Sequence, residues 1–392
     1  MPRVGSSKIR TFGESSSHFA STTFCWFPPL RFAAVIATGL LLAPASHGAQ
    51  GASPEWDQAV AAAEKEGSVI INIPAGNALR DFLVSEWPKS FPKIGLVTNS
   101  IDEGTWIARV RLERQSGKYL WDAAMSGSVT SYTMKNDGVT VPIVPELILA
   151  DVKDPKIWGG WDRVLWDNEH EYVMATQNFL KMPFYNAKLL PPEKVKAEGT
   201  KVLLDPILKK KVIWNDPLIP GSGETFALVM RKLLGDEGLK TFIDNQVVFT
   251  ANMMDLVDKM ARGQYAMSLG PTMDALLKRY KDAGLAFDIR PLGNTPELGA
   301  YSNSGGSNLI LMKDAPHPNA MKVFVNWMLS KDIATRLAKA QNQDTNRADV
   351  PSQLAANEQA LPGIKYIEPQ RESAVAELHA SHDLIRQIRA AK

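Results

Sequence analysis

The stretch Val212-Ile213-Trp214-Asn215-Asp216-Pro217-Leu218-Ile219-Pro220-Gly221-Ser222-Gly223-Glu224-Thr225-Phe226 combines a strand, a glycine turn and a helix start. Val212 to Trp214 is apolar and short, as a buried strand requires. Gly221-Ser222-Gly223 closes the turn, and a helix is expected from about Glu224 to Leu234. Glycines let the backbone approach a ligand, and the first amides of a helix are unpaired donors with partial positive charge. Such a turn can seat a small anion or polar group, although Ser222 could equally be an ordinary helix cap.

The same rhythm runs on both sides of it. Upstream, helix Trp56 to Glu66 ends at Gly67, and strand Ser68 to Pro74 leads to the turn Ala75-Gly76-Asn77. A helix through Leu79 and Trp87, strand Ile94 to Ile101, helix Thr105 to Gln115 and strand Trp121 to Met125 follow. Ser126-Gly127-Ser128 then opens a third helix. Val139 to Trp166, rich in Pro, Trp and Asp, reads as an irregular covering segment, and Glu171 to Gln177 as a crossover strand. Downstream come a helix at Glu237 to Asn245, strands at Val247 to Thr250, Ala266 to Leu269 and Phe287 to Pro291, and helices at Met253 to Arg262 and Met273 to Ala283. Strand Asn308 to Met312 and helix Asn319 to Leu329 follow, then a helical tail with a polar break from Gln341 to Pro351. Strands alternating with helices imply an α/β fold with parallel sheets, whose ligands lie beyond the carboxyl ends of the strands. Ala75-Gly76-Asn77-Ala78 lacks the G-x-G-x-x-G of a dinucleotide fold.

The 392 residues suffice for two domains. With 45% hydrophobic and 22% charged residues and a net charge of +2, the composition is that of a soluble globular protein with no pull toward nucleic acid. Arg3, Lys8, Arg10 and Arg31 precede the uncharged run Phe32 to Ala45, and Ala43-Pro44-Ala45 and His47-Gly48-Ala49 offer small-residue cleavage sites. This is the pattern of a secretory signal peptide, with residues 1–53 as signal and leader. Removing them takes four basic residues and Glu14 from totals of 44 and 42, for a net charge near −1. It also removes Cys25, the only cysteine, so a mature chain would rely on its core alone, without disulfides.

Several stretches resemble the periplasmic solute-binding proteins of ABC-type importers, in the branch with ferric-iron, thiamine, polyamine and aminoethylphosphonate binders. They are Ser68 to Pro74 with Phe91-Pro92-Lys93-Ile94; Tyr185-Asn186; Asp216-Pro217 with Gly221-Ser222-Gly223; Leu256-Val257-Asp258 through Ala261-Arg262-Gly263-Gln264-Tyr265; and Ala315-Pro316-His317-Pro318-Asn319-Ala320 with Phe324 and Leu329-Ser330. The resemblance spans about residues 55–350 and implies a type II fold: two lobes, each a mostly parallel sheet flanked by helices, joined by crossover strands and closing on ligand by a hinge. The expected lobes are 54–170 with 291–335, and 171–290 with 336–392. The ferric binders of that branch use adjacent tyrosines; this chain has no Tyr-Tyr, only Tyr301 near the expected return to lobe one. One phenolate does not make a ferric oxygen set.

The turns expected at the cleft are Gly76-Asn77 and Ser126-Gly127-Ser128 from lobe one, and Gly221-Ser222-Gly223 and Gly270 to Thr272 from lobe two, with Asn252 and Tyr301 beside them. Neutral hydroxyls and helix-start amides suit a small organic anion. Trp106, Trp214, His170 and Asp216 read as structural, and Arg109 and Arg262 as solvated. The expectation is a monomeric, non-enzymatic receptor serving an inner-membrane ABC permease, with no cofactor or metal. Three rivals stand beside it: a ferric binder, the binding component of a membrane sensor, and an exported hydrolase using Ser222, for which Pro220 breaks the Gly-x-Ser-x-Gly elbow.

Overall fold

The computed structural model describes residues 53–74, 77–219 and 221–391; the expected signal segment, Cys25 and Gly76 lie outside them. In chain order the first run is α1 (Pro54–Glu66), β1 (Ser68–Asn72), α2 (Ala78–Ser90), β2 (Gly95–Asn99), α3 (Glu103–Gln115), β3 (Ala123–Ser126) and α4 (Ser128–Asn136). Where a covering segment was expected, β4 (Thr140–Val141) precedes three single-turn helices, α5 (Ala150–Lys153), α6 (Pro155–Trp158) and α7 (Trp161–Val164). The chain crosses through β5 (Met174–Ala175) and β6 (Gln177–Lys181) to β7 (Phe184–Asn186). A second run follows: α8 (Pro192–Glu198), β8 (Val212–Asn215), α9 (Phe226–Asp244), β9 (Val248–Thr250), α10 (Met253–Ala261), β10 (Met267–Leu269), α11 (Asp274–Asp282) and β11 (Ile289–Pro291). The return is β12 (Tyr301–Asn303), β13 (Asn308–Met312), α12 (Pro318–Leu329), α13 (Lys331–Gln341), β14 (Asp344–Thr345) and α14 (Val375–Ala390).

The first sheet has the order β2-β1-β3-β13-β4, with β5 also on β13; the second has the order β11-β7-β10-β8-β9. Each has a parallel core, β2-β1-β3 and β9-β8-β10, flanked by antiparallel strands. The sheets are therefore mixed. β13 and β7 arrive from the crossing between lobes and run against the core strands they join. The small sheet β12-β6-β14 carries the crossings.

Apolar alternation set the two cores. Val69, Ile71, Leu83, Trp87, Phe324 and Trp327 sit in the first, where the Trp87 ring lies 4.6 Å from Phe91 and 5.1 Å from Trp327. Trp214, Phe226, Val229, Phe242 and Met267 sit in the second. Helix α9 absorbs two expected helices because Gly235, at φ +69°, bends the chain without ending it. Ile333 and Leu337 keep α13 in the first core, so the division expected at 335/336 falls inside a helix of lobe one.

Buried polar groups hold the layers in register. Asn326 on α12 is fully buried; its oxygen accepts from the amides of Ile148 and Leu149, and its amide donates to Glu146 O and Lys322 O. Asn326→Leu leaves two buried amides without acceptors and is expected to cost about 2–4 kcal/mol, read as a lower urea midpoint with unchanged m.

The tail bridges the lobes. Tyr132 donates to Gln370 O at 2.6 Å, and Lys135 pairs with Glu372 at 2.5 Å, both from α4 of lobe one. Beyond them, Leu378, Ile385 and Ile388 of α14 pack into the second core, and Arg389 pairs with Asp216 at 2.9 Å.

Candidate functional site

The two parallel cores present their carboxyl ends at the crossing. From lobe one come Asn77 after β1, Ser100 to Glu103 after β2, and Ser126 to Ser128 after β3. From lobe two come Asp216 to Thr225 after β8, Asn252 after β9, and Gly270 to Thr272 after β10. A cavity of about 130 Å3 lies at the crossing, lined by Phe179, Leu180 and Met182, by Phe184, Thr272 and Pro291 of lobe two, and by Gln341 to Gln343 at the end of α13. A larger cavity, about 580 Å3, lies along β6 and residues 344–362, and its arginines are engaged: Arg347 with Asp349, and Arg163 with the carbonyls of Trp158 and Asn346.

The turn after β8 folds back over its own strand. Ser222 Oγ donates to Asn215 Oδ1 at 2.6 Å, and the Trp214 indole donates to Gly223 O at 3.1 Å. The helix starts at Phe226, two residues later than expected, with Thr225 as a helical N-cap residue, so Ser222 caps nothing. Gly223 fits because a Cβ there would lie 1.6 Å from Asn215 O. Gly270 has a packing reason as well: its Cβ would meet Leu256 at 3.0 Å and Asn215 at 3.4 Å.

Three expected ligand groups have internal partners. The start of α4 is filled by Glu103, whose carboxylate accepts from Gly127 N at 2.7 Å and Thr130 Oγ1 at 2.6 Å, while Ser126 Oγ is held against Ser131 Oγ at 2.9 Å. An anion meeting those donors would have to displace a carboxylate. Asn252 caps α10, accepting from the amides of Met254 and Asp255. Tyr301 is a core residue, fully buried, with its hydroxyl 2.6 Å from Thr225 Oγ1 and its ring edge-on to Phe226 at 5.1 Å. Burial raises its pKa well above the usual phenol value, so it supports the turn from below. Of the remaining expected residues, Asn77, Gly221 and Thr272 are exposed and Ser128 half-buried at the strand ends.

Four charged residues at the strand ends and the crossing were not selected from the sequence as site residues. Lys181 on β6 is buried and donates to Ser222 O at 2.5 Å; desolvation lowers its pKa to about 7. Glu224 is half-buried, its pKa raised first by desolvation and further by Glu103 across the cleft, against the pull of Lys181. Arg80, at the start of α2, donates to Ser100 Oγ at 2.6 Å and forms no ion pair among the described residues. A lone Lys between Phe179-Leu180 and Met182-Pro183-Phe184 was the sequence signal for the first; nothing local pointed to Glu103.

Trp106 and Trp214 are fully buried, as expected, and Arg109 and Arg262 are exposed in helical pairs with Glu113 and Asp258. Among the described residues no group of three or more His, Cys, Asp or Glu side chains is placed to hold a metal, and no helix is long and apolar enough to cross a membrane.

Solved structures of the same fold include iron-bound HitA from Pseudomonas aeruginosa, with a TM-score of 0.58 at 14% identity over 82% of this chain and 99% of that one. AfuA from Actinobacillus pleuropneumoniae, bound to fructose-6-phosphate, gives 0.54 at 17% identity over 82% and 99%. The apo ferric ion-binding protein A of Pasteurella haemolytica gives 0.60 at 14% over 82% and 98%. No curated protein sequence matches significantly. These likenesses establish the two-lobe periplasmic-binding-protein fold. The family profile described as bacterial extracellular solute-binding protein matches residues 71–335, and proteins of that kind bind small ligands and work with ABC-type permeases. With two lobes, a crossing sheet and a match over most of its length, the chain belongs to the bacterial extracellular solute-binding protein family.

Proposed function

We propose that this chain is a periplasmic receptor, exported by a cleaved signal peptide, that captures a small polar organic solute bearing an acid group. It acts as a monomer without chemistry of its own, and delivers the solute to an ABC permease. The observation that carries this reading is the meeting of both sets of strand ends at one interlobe cavity. Closure follows because the solute contacts both lobes only in the closed state, and so favours it.

The acid group is assigned to the α2 side of lobe one. There Arg80 is half-buried beside Ser100, has no carboxylate partner among the described residues, and lies in the first turn of a helix. This moves the anion subsite away from the α4 start, which Glu103 occupies. The ferric alternative gains no support: Tyr301 has its hydroxyl against Thr225 in the core. The hydrolase alternative fares no better, since Ser222 donates to Asn215 and makes no hydrogen bond to a histidine among the described residues.

A thermal-shift screen of the chain from Ser53 tests the reading. A bound solute at 100 times its dissociation constant adds about 2.7 kcal/mol, an upward shift of several degrees. Arg80→Ala is expected to weaken an acid-bearing hit by on the order of tenfold. Stabilisation by ferric ion alone, or by no organic acid, would contradict the proposal.

A further inference from the structure

We infer that the solute is a zwitterion whose protonated amine docks between Glu103 of lobe one and Glu224 of lobe two. This deepens the receptor reading above and rests on it.

The first observation is the state of the two carboxylates. Glu224 stands in the turn after β8, accepts the Gly221 amide, and forms no ion pair among the described residues. The nearest cation, Lys181, directs its ammonium to Ser222 O and acts on Glu224 only through space. Glu103 is likewise without an ion pair among the described residues. Its two described hydrogen bonds leave further acceptor positions, because an ionised carboxylate has about four. The two groups feel each other's charge across the cleft. Closing the lobes brings like charges together, which opposes closure unless a positive charge lies between them. An alkylammonium, compact and with three donors, suits two facing carboxylates.

The second observation is independent of charge. Gln341 lines the interlobe cavity, and its Oε1 is buried without a hydrogen-bond partner. An acceptor left so in the folded protein is matched by a donor on the ligand. The residues lining that cavity include Glu358 but no Lys, Arg or His. An anion therefore has no charge partner there, whereas Arg80 offers one at the other end of the cleft floor. Basic at one end and acidic at the other, the cleft is matched by a solute of the opposite polarity, and neither a diamine nor a dianion uses both ends.

The experiment is titration calorimetry on the full chain from Ser53. The probes are α- and ω-amino acids of two to six carbons, each with its des-amino acid and its decarboxylated amine as controls. At least one amino acid is expected to bind, with both controls at least tenfold weaker. Glu224→Gln should weaken the amino acid at least tenfold while leaving the weak affinity of the des-amino acid unchanged. Without ligand, the same variant is expected to show a smaller radius of gyration by X-ray scattering, because relief of the repulsion lets the lobes approach. Two results overturn the inference but not the receptor reading: a des-amino acid that binds as well as its amino acid, or an affinity indifferent to Glu224→Gln. Failure of every acid, with and without an amine, overturns both.

Discussion

Gly223→Ala is expected to collapse the turn that carries Ser222 and Glu224. The added methyl would lie 1.6 Å from a backbone oxygen, Asn215 O, which no rotamer change can move aside. Either the turn lifts off β8, losing the Trp214 and Ser222 hydrogen bonds, or the strand end shifts with it. The cost should be about 3 kcal/mol or more, with a fall in Tm of roughly 5 °C or more. Gly221→Ala is the comparison. At φ +148° its backbone is unfavourable for alanine, but the nearest atom is 3.9 Å away, so about 1–2 kcal/mol is expected. Equal losses for the two variants would show that the turn does not fold back as described.

Lys181→Met should stabilise the protein at neutral and acid pH. The unfolded chain keeps the lysine proton to about pH 10, whereas the folded chain releases it from about pH 7. Between those values the unfolded state binds more protons, so wild-type stability climbs with pH there and is lowest below pH 7. The burial penalty removed by methionine is up to about 5 kcal/mol. Loss of the donor to Ser222 O returns about 1 kcal/mol of that. Urea melts at pH 6 and pH 10 should show a gain of a few kcal/mol at pH 6 that shrinks toward pH 10. A variant less stable than wild type at pH 6 would mean the ammonium is held by stronger partners than Ser222.

Much of the fold was legible because period and punctuation agreed. Ser68 to Pro74 and Val212 to Trp214 were short apolar runs ended by small residues, and both became strands feeding turns. The hinge was harder. Tyr301-Ser302-Asn303 is too short and polar to announce a strand, and it forms one only because β6 lies alongside. The site was legible in position and less so in chemistry. Ser126-Gly127-Ser128 and Gly221-Ser222-Gly223 do lie at strand ends. Yet the partner of the first is Glu103, more than twenty residues away, and a helix cap supplied at that distance leaves no local trace. Tyr301 misled for the same reason, since its hydroxyl partner Thr225 is distant in sequence. Lys181 did leave a trace, a single charge in an apolar strand.

The tail also governs how far the molecule can swing. Two crossing strands alone form a hinge with free play about its axis. Residues 370–372 are fastened to α4 while α14 is embedded against α9, so the tail is a ligament anchored away from that axis at both ends. Its slack is the short link around Ala374 and Val375, where the last turn before α14 begins. Any rotation that parts α4 from α9 by more than that slack must break Tyr132 from Gln370 or Lys135 from Glu372. The widest gape of the cleft is thus set at the rim by a tether, and the strands at the pivot need supply only the direction of motion.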